Sequence, residues 1–251
     1  MTEQAESPNR PLTVNLTVRG RRLSLHVDVP TGNVRPAELL PLYRAVSEQM
    51  SAIAVRDAAA AGHRVSCRAG CGACCRQLVP VSTLEARELM KLLDAMPEPR
   101  RSQVRQRFAE ARQRIQAAGL LDRLLAPDYG PGGSELAAEY WALRIPCPFL
   151  EEESCSIHPD RPLICREYLV VSPAEHCAEA NPQNVRALTP PAGPVSARFP
   201  RYERAADGTV VHRVALSLAP DFVTAYPDEP PPGPAERFIN SFFASGEKTL
   251  P

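Results

Sequence analysis

SCRAGCGACCR, residues 66–76, places Cys67, Cys71, Cys74 and Cys75 within nine residues of one another. A second stretch, CPFLEEESCSIHPDRPLICREYLVVSPAEHC at residues 147–177, adds Cys147, Cys155, Cys165 and Cys177. Together they hold all 8 cysteines of the 251-residue chain. A lone C-x-x-C pair is a weak signal, whereas four clustered thiols answered by four more can wrap a soft metal centre from two directions. The reading is a metal-thiolate protein in which both blocks serve one composite centre or two abutting ones, with a helical spacer returning the chain as a hairpin.

Working outward from the first block, Leu12, Val14, Leu16 and Val18 alternate with polar residues. Gly20 interrupts, and Leu23, Leu25, Val27 and Val29 alternate again, which predicts a β-hairpin. Leu39, Tyr43, Val46, Met50 and Ile53 recur every three or four positions and predict a helix from about Pro36 to Ala61, ended by Gly62. Beyond the block, Ser82 and Glu85 have capping-box spacing ahead of a helix lined by Leu89, Leu92, Leu93 and Met96, with Pro97 and Pro99 to stop it. Val104, Phe108, Ala111 and Ile115 mark a long amphipathic helix. Leu136, Tyr140 and Leu143 mark a shorter one after a loop from Pro127 to Gly133.

Past Cys177 the chain turns Pro-rich, with Pro190, Pro191 and Pro194, and Pro200 confines the strand that precedes the turn at Asp207 and Gly208 to a sheet edge. Asp207 and Gly208 offer a hairpin turn into a strand from Val210 to Leu218. After Pro230–Pro234, a short helix presenting Phe238, Ile239, Phe242 and Phe243 docks on the core. The fold class expected is α+β, mainly α-helical. It has an N-terminal β-hairpin, helices wrapped around a cysteine-rich metal-binding core, and a small C-terminal β-hairpin and helix. The segments are 1–62 (hairpin and helix), 63–180 (cysteine cluster) and 181–251 (Pro-rich extension).

Composition narrows the function. A chain 44% hydrophobic over 251 residues can bury a core without disulfides. The start MTEQAESPNRPL has no basic residue followed by an apolar run, and no stretch approaches the roughly 18 apolar residues of a membrane span, so the expectation is a cytoplasmic protein. Thiols stay reduced there, which favours metal or redox chemistry over a disulfide framework. With 29 basic and 29 acidic residues, nothing draws the chain globally to nucleic acid or anionic lipid. Only Lys91 and Lys248 are lysines, the other basic residues being Arg; with abundant Ala and Pro, this reflects GC-rich, bacterial-type coding.

All eight cysteines are candidate metal ligands. Cys71-Gly72-Ala73-Cys74 is a chelating knuckle in which Gly70 and Gly72 leave the backbone unencumbered. Neighbouring Cys74 and Cys75 point in different directions in an extended segment and so suit two centres, unless one is a spare thiol. Arg64, Arg68 and Arg76 either bring positive charge to the block, lowering thiolate pKa values, or are ordinary solvated surface, the two readings standing level. In the second block Asp160 is placed to cap a short helix that starts at Pro162 and carries Cys165. His158 and His176 read as surface residues or as partners of the ligands, since eight thiols already saturate two tetrahedral sites. Arg161 and Arg166 can donate hydrogen bonds to thiolates or to backbone carbonyls of the ligand loops, with a local structural role the one expected. Cys177, farthest from the dense motif, is the weakest ligand candidate.

C-x3-C-G-x-C-C, then CPFL, then C-S-I-H-x-x-R-P-x-x-C-R-E-Y resembles the YkgJ-type cysteine-cluster family, described as zinc- or iron-chelating. The resemblance spans Cys67 to about Cys177 and includes Arg161, Pro162 and Arg166. It implies chelation of zinc or an iron–sulfur cluster by these cysteines. A related activity, flagellin lysine methylation, uses a similar cluster in larger proteins, but no separate S-adenosylmethionine-binding glycine signature is present here.

Two sharper enzyme readings fail on context. Cys67, Cys71 and Cys74 have the C-x3-C-x2-C spacing of radical S-adenosylmethionine enzymes, yet Ala73 stands where an aromatic is usual and no repeated strand-helix pattern surrounds it. CGAC looks like a thioredoxin-type pair without a βαβ unit. Walker, Rossmann, HExxH and GxSxG motifs are absent. The functional expectation is a metal-binding protein with a structural or partner-presenting role. The alternative is an iron–sulfur enzyme of redox or group-transfer, protein-methylation-like type.

Overall fold

The computed structural model describes residues 9–18, 21–127, 134–179, 182–198, 204–205 and 207–244. Strands β1 (Asn9–Val18) and β2 (Arg21–Pro30) form the expected antiparallel hairpin, Leu12 facing Val27 and Val14 facing Leu25. Gly20 lies outside the described residues. Leu25, Val27 and Val29 are buried while the residues between them are exposed, the period of two that a half-buried strand requires. After β3 (Asn33–Val34), a 3-10 turn at Pro36–Leu39 runs into α1 (Leu40–Ala60). Gly62, at φ +79°, ends that helix: the His63 N–H turns back to the carbonyl of Ala58 at 2.9 Å, which only a left-handed residue permits cheaply.

Beyond the first cysteine block, β4 (Pro80–Val81) leads into α2 (Thr83–Asp94) through the predicted capping box. The Ser82 hydroxyl accepts from the Glu85 N–H at 3.1 Å, and the Glu85 carboxylate accepts from the Ser82 N–H at 3.1 Å. Helix α3 (Arg100–Ala117) buries Val104, Phe108, Ala111 and Ile115, the stripe read from the sequence. A five-residue helix not anticipated, α4 (Leu121–Leu125), buries Leu124; α5 (Ser134–Ala142) follows, with 128–133 outside the described residues.

The second block contributes the small hairpin of β5 (Leu150–Glu151) and β6 (Ser154–Cys155) and the one-turn helix α6 (Leu163–Glu167). The C-terminal part differs from the expected hairpin. Val210 pairs with Arg204 in a single bridge, and β7 (Val214–Ala215) pairs instead with β4, while Leu216–Leu218 forms a 3-10 turn before α7 (Ala219–Ala225). The reason is burial on both faces: Val214, Ala215, Leu216 and Leu218 are all buried, so this run is seated inside the molecule rather than alternating on a surface hairpin. The strand expected to precede the Asp207–Gly208 turn, with Pro200 in it, lies largely outside the described residues, and Val195–Arg198 ahead of it forms a 3-10 turn.

β8 (Gly233–Pro234) pairs with β3, and α8 (Ala235–Ala244) lays Phe238, Ile239 and Phe242 on α1, as its apolar face required. The Tyr43 and Phe242 rings approach to 4.5 Å between centroids. The hairpin, α1 and α8 thus share one core, with Leu84 of α2 and Leu163 of α6 reaching into it. A second core joins α2, α3 and α7 to Phe149 and Ile157, with Cys147 and Cys155 packed against it. The cysteine blocks lie where these two cores meet.

Candidate metal centre

The first block is neither helix nor strand but a succession of tight turns. The N–H groups of Cys71, Cys75 and Gln77 bond to the carbonyls of Arg68, Gly72 and Cys74 at 3.3, 3.0 and 3.1 Å. Its leading end is sewn to the far end of the second block: the Ser66 N–H bonds to the Val170 carbonyl at 2.9 Å, and the Val170 N–H donates to Cys67 Sγ at 3.3 Å. Its trailing end is sewn to the start of that block, the Cys147 N–H reaching the Cys75 carbonyl at 2.7 Å. Between the two seams Gly72 lies directly under the β5–β6 turn. A Cβ at Gly72 would stand 2.6 Å from the Glu153 carbonyl oxygen and 2.7 Å from Leu150 Cδ1. Close approach of the second block is why this position has no side chain.

The β5–β6 turn carries Glu152 and Glu153 at φ +49° and +57°, the left-handed pair that a two-residue hairpin demands, here without glycine. Arg76 clasps it with two bonds to the Glu153 carboxylate at 2.9 and 2.5 Å. That arginine is thus committed to joining the blocks, not to facing the thiols as its position in the motif suggested.

Helix α6 holds Cys165, but Asp160 does not cap it. Asp160 sits in a separate 3-10 turn, and the helix begins at Pro162, whose side chain cannot accept a hydrogen bond. Glu85 does the work from α2: one carboxylate oxygen serves Ser82, and the other accepts the Leu163 N–H at 2.7 Å. The far end of α6 is held likewise, with buried Glu167 accepting from the Ser47 hydroxyl at 2.9 Å and the Val195 and Ser196 N–H groups at 2.8 and 3.1 Å. Arg166 braces the preceding turn through the carbonyls of Pro159 and Arg161 and pairs with Glu48 at 3.1 Å.

These supports bring the two blocks to one place. Cys71, Cys74 and Cys75 of the first block and Cys147, Cys155 and Cys165 of the second line a single open-mouthed cavity of about 210 Å³. Phe149, Ile157, Ile164 and Leu216 supply much of its apolar wall. Cys67 and Cys177 stand outside the lining but within electrostatic reach of Cys71 and Cys74. All eight are free thiols. Among the described residues, no three His, Cys, Asp or Glu side chains are already placed to hold a metal ion, so the sulfurs ring a space rather than a point.

Burial raises most of these thiols: Cys147 is pushed up to about 12, Cys177 to about 11, and Cys165 well above the ordinary range. Cys74 and Cys75 hydrogen-bond to each other, which lowers Cys74 to about 7 and raises Cys75. A shell of mostly neutral, desolvated thiols is the state that a soft cation deprotonates as it binds.

Positive charge comes from Arg161, for which the sequence offered a hydrogen bond to a thiolate only as the lesser alternative to a local role. Arg161 lines the cavity and acts on Cys67, Cys74 and Cys155, lowering each. Its buried Nε–H has no hydrogen-bond partner among the described residues, an uncompensated donor that an anionic thiolate centre would satisfy. Its place immediately before Pro162, at the entry to the Cys165 helix, was the available signal. Arg68 is exposed at the cavity while Arg64 does not line it. His158 lines the cavity with its pKa lowered by the charge of Arg161, whereas His176 is turned away, its Nδ1 on the Asn184 carbonyl at 3.0 Å. By donor chemistry, sulfur-rich and backed by an arginine, the site fits a thiophilic metal or cluster.

Residues 66–185 match a family model described as "CxxCxxCC: Putative zinc- or iron-chelating domain". This segment is a cysteine-cluster domain. The match covers just under half of the chain and includes all eight cysteines, while the β1–β2 hairpin, α1, α7 and α8 lie beyond it. No curated protein and no solved structure matches the chain. No helix among the described residues is long and apolar enough to cross a membrane.

Proposed function

We propose that residues 63–180 are a metal-binding unit in which the eight cysteines hold zinc or an iron–sulfur cluster, and that the bound centre ties the two blocks together within a cytoplasmic protein. The observation carrying this reading is the convergence of thiols from both blocks on one cavity beside the unpartnered Arg161 guanidinium N–H. Binding draws the sulfurs inward from the cavity wall, and the free energy of that closure is also folding free energy, because the ligands meet only in the folded chain. The role is structural, with the shaped surface around the centre available to a protein partner. Metal analysis with an absorption spectrum, on full-length protein purified without oxygen, tests it. Zinc gives a colourless protein, and an iron–sulfur cluster gives visible charge-transfer bands that bleach in air. Protein purified with neither metal, and taking up neither on addition, overturns the proposal.

One feature favours a second reading as an iron–sulfur enzyme of redox or group-transfer type. The cavity is far larger than one ion needs and is open to solvent. Cyanide added to the anaerobic protein separates the two, shifting the spectrum of a centre with an open position and leaving a fully thiolate-ligated one unchanged.

A further inference from the structure

The hydrogen-bonded seams divide the thiols as well as join the blocks. At the outer seam, Ser66 pairs with Val170 and the Gln77 side chain donates to the Cys177 carbonyl at 3.0 Å, so the leading end of the first block and the last cysteine of the second lie together. At the inner seam, Cys75 is bonded through its carbonyl to Cys147, and Cys155 follows on the hairpin that Cys147 introduces. Cavity lining sets Cys67 and Cys177 apart from the other six, with Cys71 and Cys74 lining it beside Cys75, Cys147, Cys155 and Cys165. Cys177 lies within electrostatic reach of Cys67, Cys71 and Cys74, and Cys75 within reach of Cys147 and Cys155, while Cys74 adjoins both sets and acts on Cys147, Cys155 and Cys165 as well.

We propose that the eight cysteines form two abutting sites of four thiolates each. Cys67, Cys71, Cys74 and Cys177 make the first, and Cys75, Cys147, Cys155 and Cys165 make the second. This inference rests on the metal-binding reading above. Cys71 and Cys74 go with Cys67 and Cys177 because both lie within electrostatic reach of those two, and Cys75 goes with Cys147 because their backbones are bonded. The Cys74 and Cys75 thiols hydrogen-bond to each other, so the Cys74-Cys75 step is where the two sites abut and the chain passes from one to the other. Each site draws from both blocks, three ligands and one in the first, one and three in the second, which makes each a staple between them. Cys177, the weakest candidate by sequence distance, becomes the ligand that closes the first site.

Cobalt(II) titration of the reduced full-length chain tests the division. Uptake is expected to saturate at two equivalents, each adding the sulfur-to-cobalt charge-transfer band of a four-thiolate site. Cys177→Ser and Cys155→Ser should each halve the capacity of intact sites, the paired change Cys67→Ser with Cys177→Ser should still leave one, and Cys177→Ser with Cys155→Ser none. Saturation at one equivalent, or unchanged four-thiolate uptake in Cys177→Ser, overturns the division while leaving metal binding intact. No uptake of cobalt(II), with no iron or zinc in the purified protein, overturns the metal-binding reading itself. Should a serine variant fail to fold, cadmium-113 resonance of the unaltered chain decides the matter: two thiolate-bound signals support the division and one refutes it.

Discussion

The frame made by α1, α8 and the β1–β2 hairpin and the seam made by the two cysteine blocks hold together by different means. In the frame, Leu39, Leu42, Tyr43, Val46 and Met50 are almost fully buried against Phe238, Ile239 and Phe242, and each such side chain contributes about 1.5–3 kcal/mol by leaving water. In the seam the regular elements are two-residue strands and a single helical turn, and the contacts are individual backbone hydrogen bonds, each contributing about 1 kcal/mol net. Its principal side chains are thiols whose burial opposes ionisation. The frame has the apolar burial to stand without help, and the seam has the ligands to be completed by a metal.

Metal removal is expected to produce the largest difference between the two. Stripping the protein with a chelator should abolish cooperative melting of the seam, with backbone amide protection lost at 66–82 and 147–177 and retained in α1. Hydrogen exchange measured with and without metal checks this. Unchanged melting and protection after removal would show that the seam, like the frame, stands on packing alone, and would move the preference to an exchangeable, carrier-type or catalytic metal.

Glu85→Ala is the sharpest single change outside the cysteines. It removes the acceptor for the Leu163 N–H and the capping box of α2 together, leaving buried donors without partners. The cost expected is about 3 kcal/mol, read as a lower denaturation midpoint, with weakened metal retention because the Cys165 helix is released. A loss of stability with metal affinity intact would show that α6 is positioned by packing and not by this carboxylate.

Gly72→Ala forces a methyl group into the β5–β6 turn. An effect of about 1–3 kcal/mol is expected, accompanied by faster metal loss as the blocks move apart. Normal stability and metal retention would mean that the blocks approach less closely than the 2.6 Å contact with the Glu153 carbonyl indicates. Smallest of all, Arg76→Ala removes a clasp whose glutamate is largely exposed, and should change stability by about 1 kcal/mol or less. A much larger effect would reveal that Arg76 stabilises the thiolates directly.

Features that depend on neighbours along the chain were legible in the sequence. The apolar stripe of α1, the Ser82–Glu85 capping box, the stop at Gly62 and the C-x-x-C knuckle all follow from the 3.6-residue period, from local side-chain acceptors and from the freedom of glycine. So did the thiol inventory and its preference for soft metals. The candidate cysteines were legible as a set, but their arrangement was not.

Tertiary structure alone decided how that set is brought together and supported, because each deciding contact joins residues far apart in the chain. Val214–Ala215 pairs with Pro80–Val81 since both faces of that run are buried, and no alternation reveals such a partner. Glu85 serves a second helix 78 positions away, Gly72 makes room for Glu153, and Arg161, its buried Nε–H without a partner among the described residues, lines one cavity with thiols from both blocks. Sequence separation put Cys177 at the margin, while the fold put it beside Cys67. Ligand identity is a chemical property that each residue carries with it; ligand grouping is a matter of which backbones are brought within a few ångströms, and only packing of the whole chain determines that.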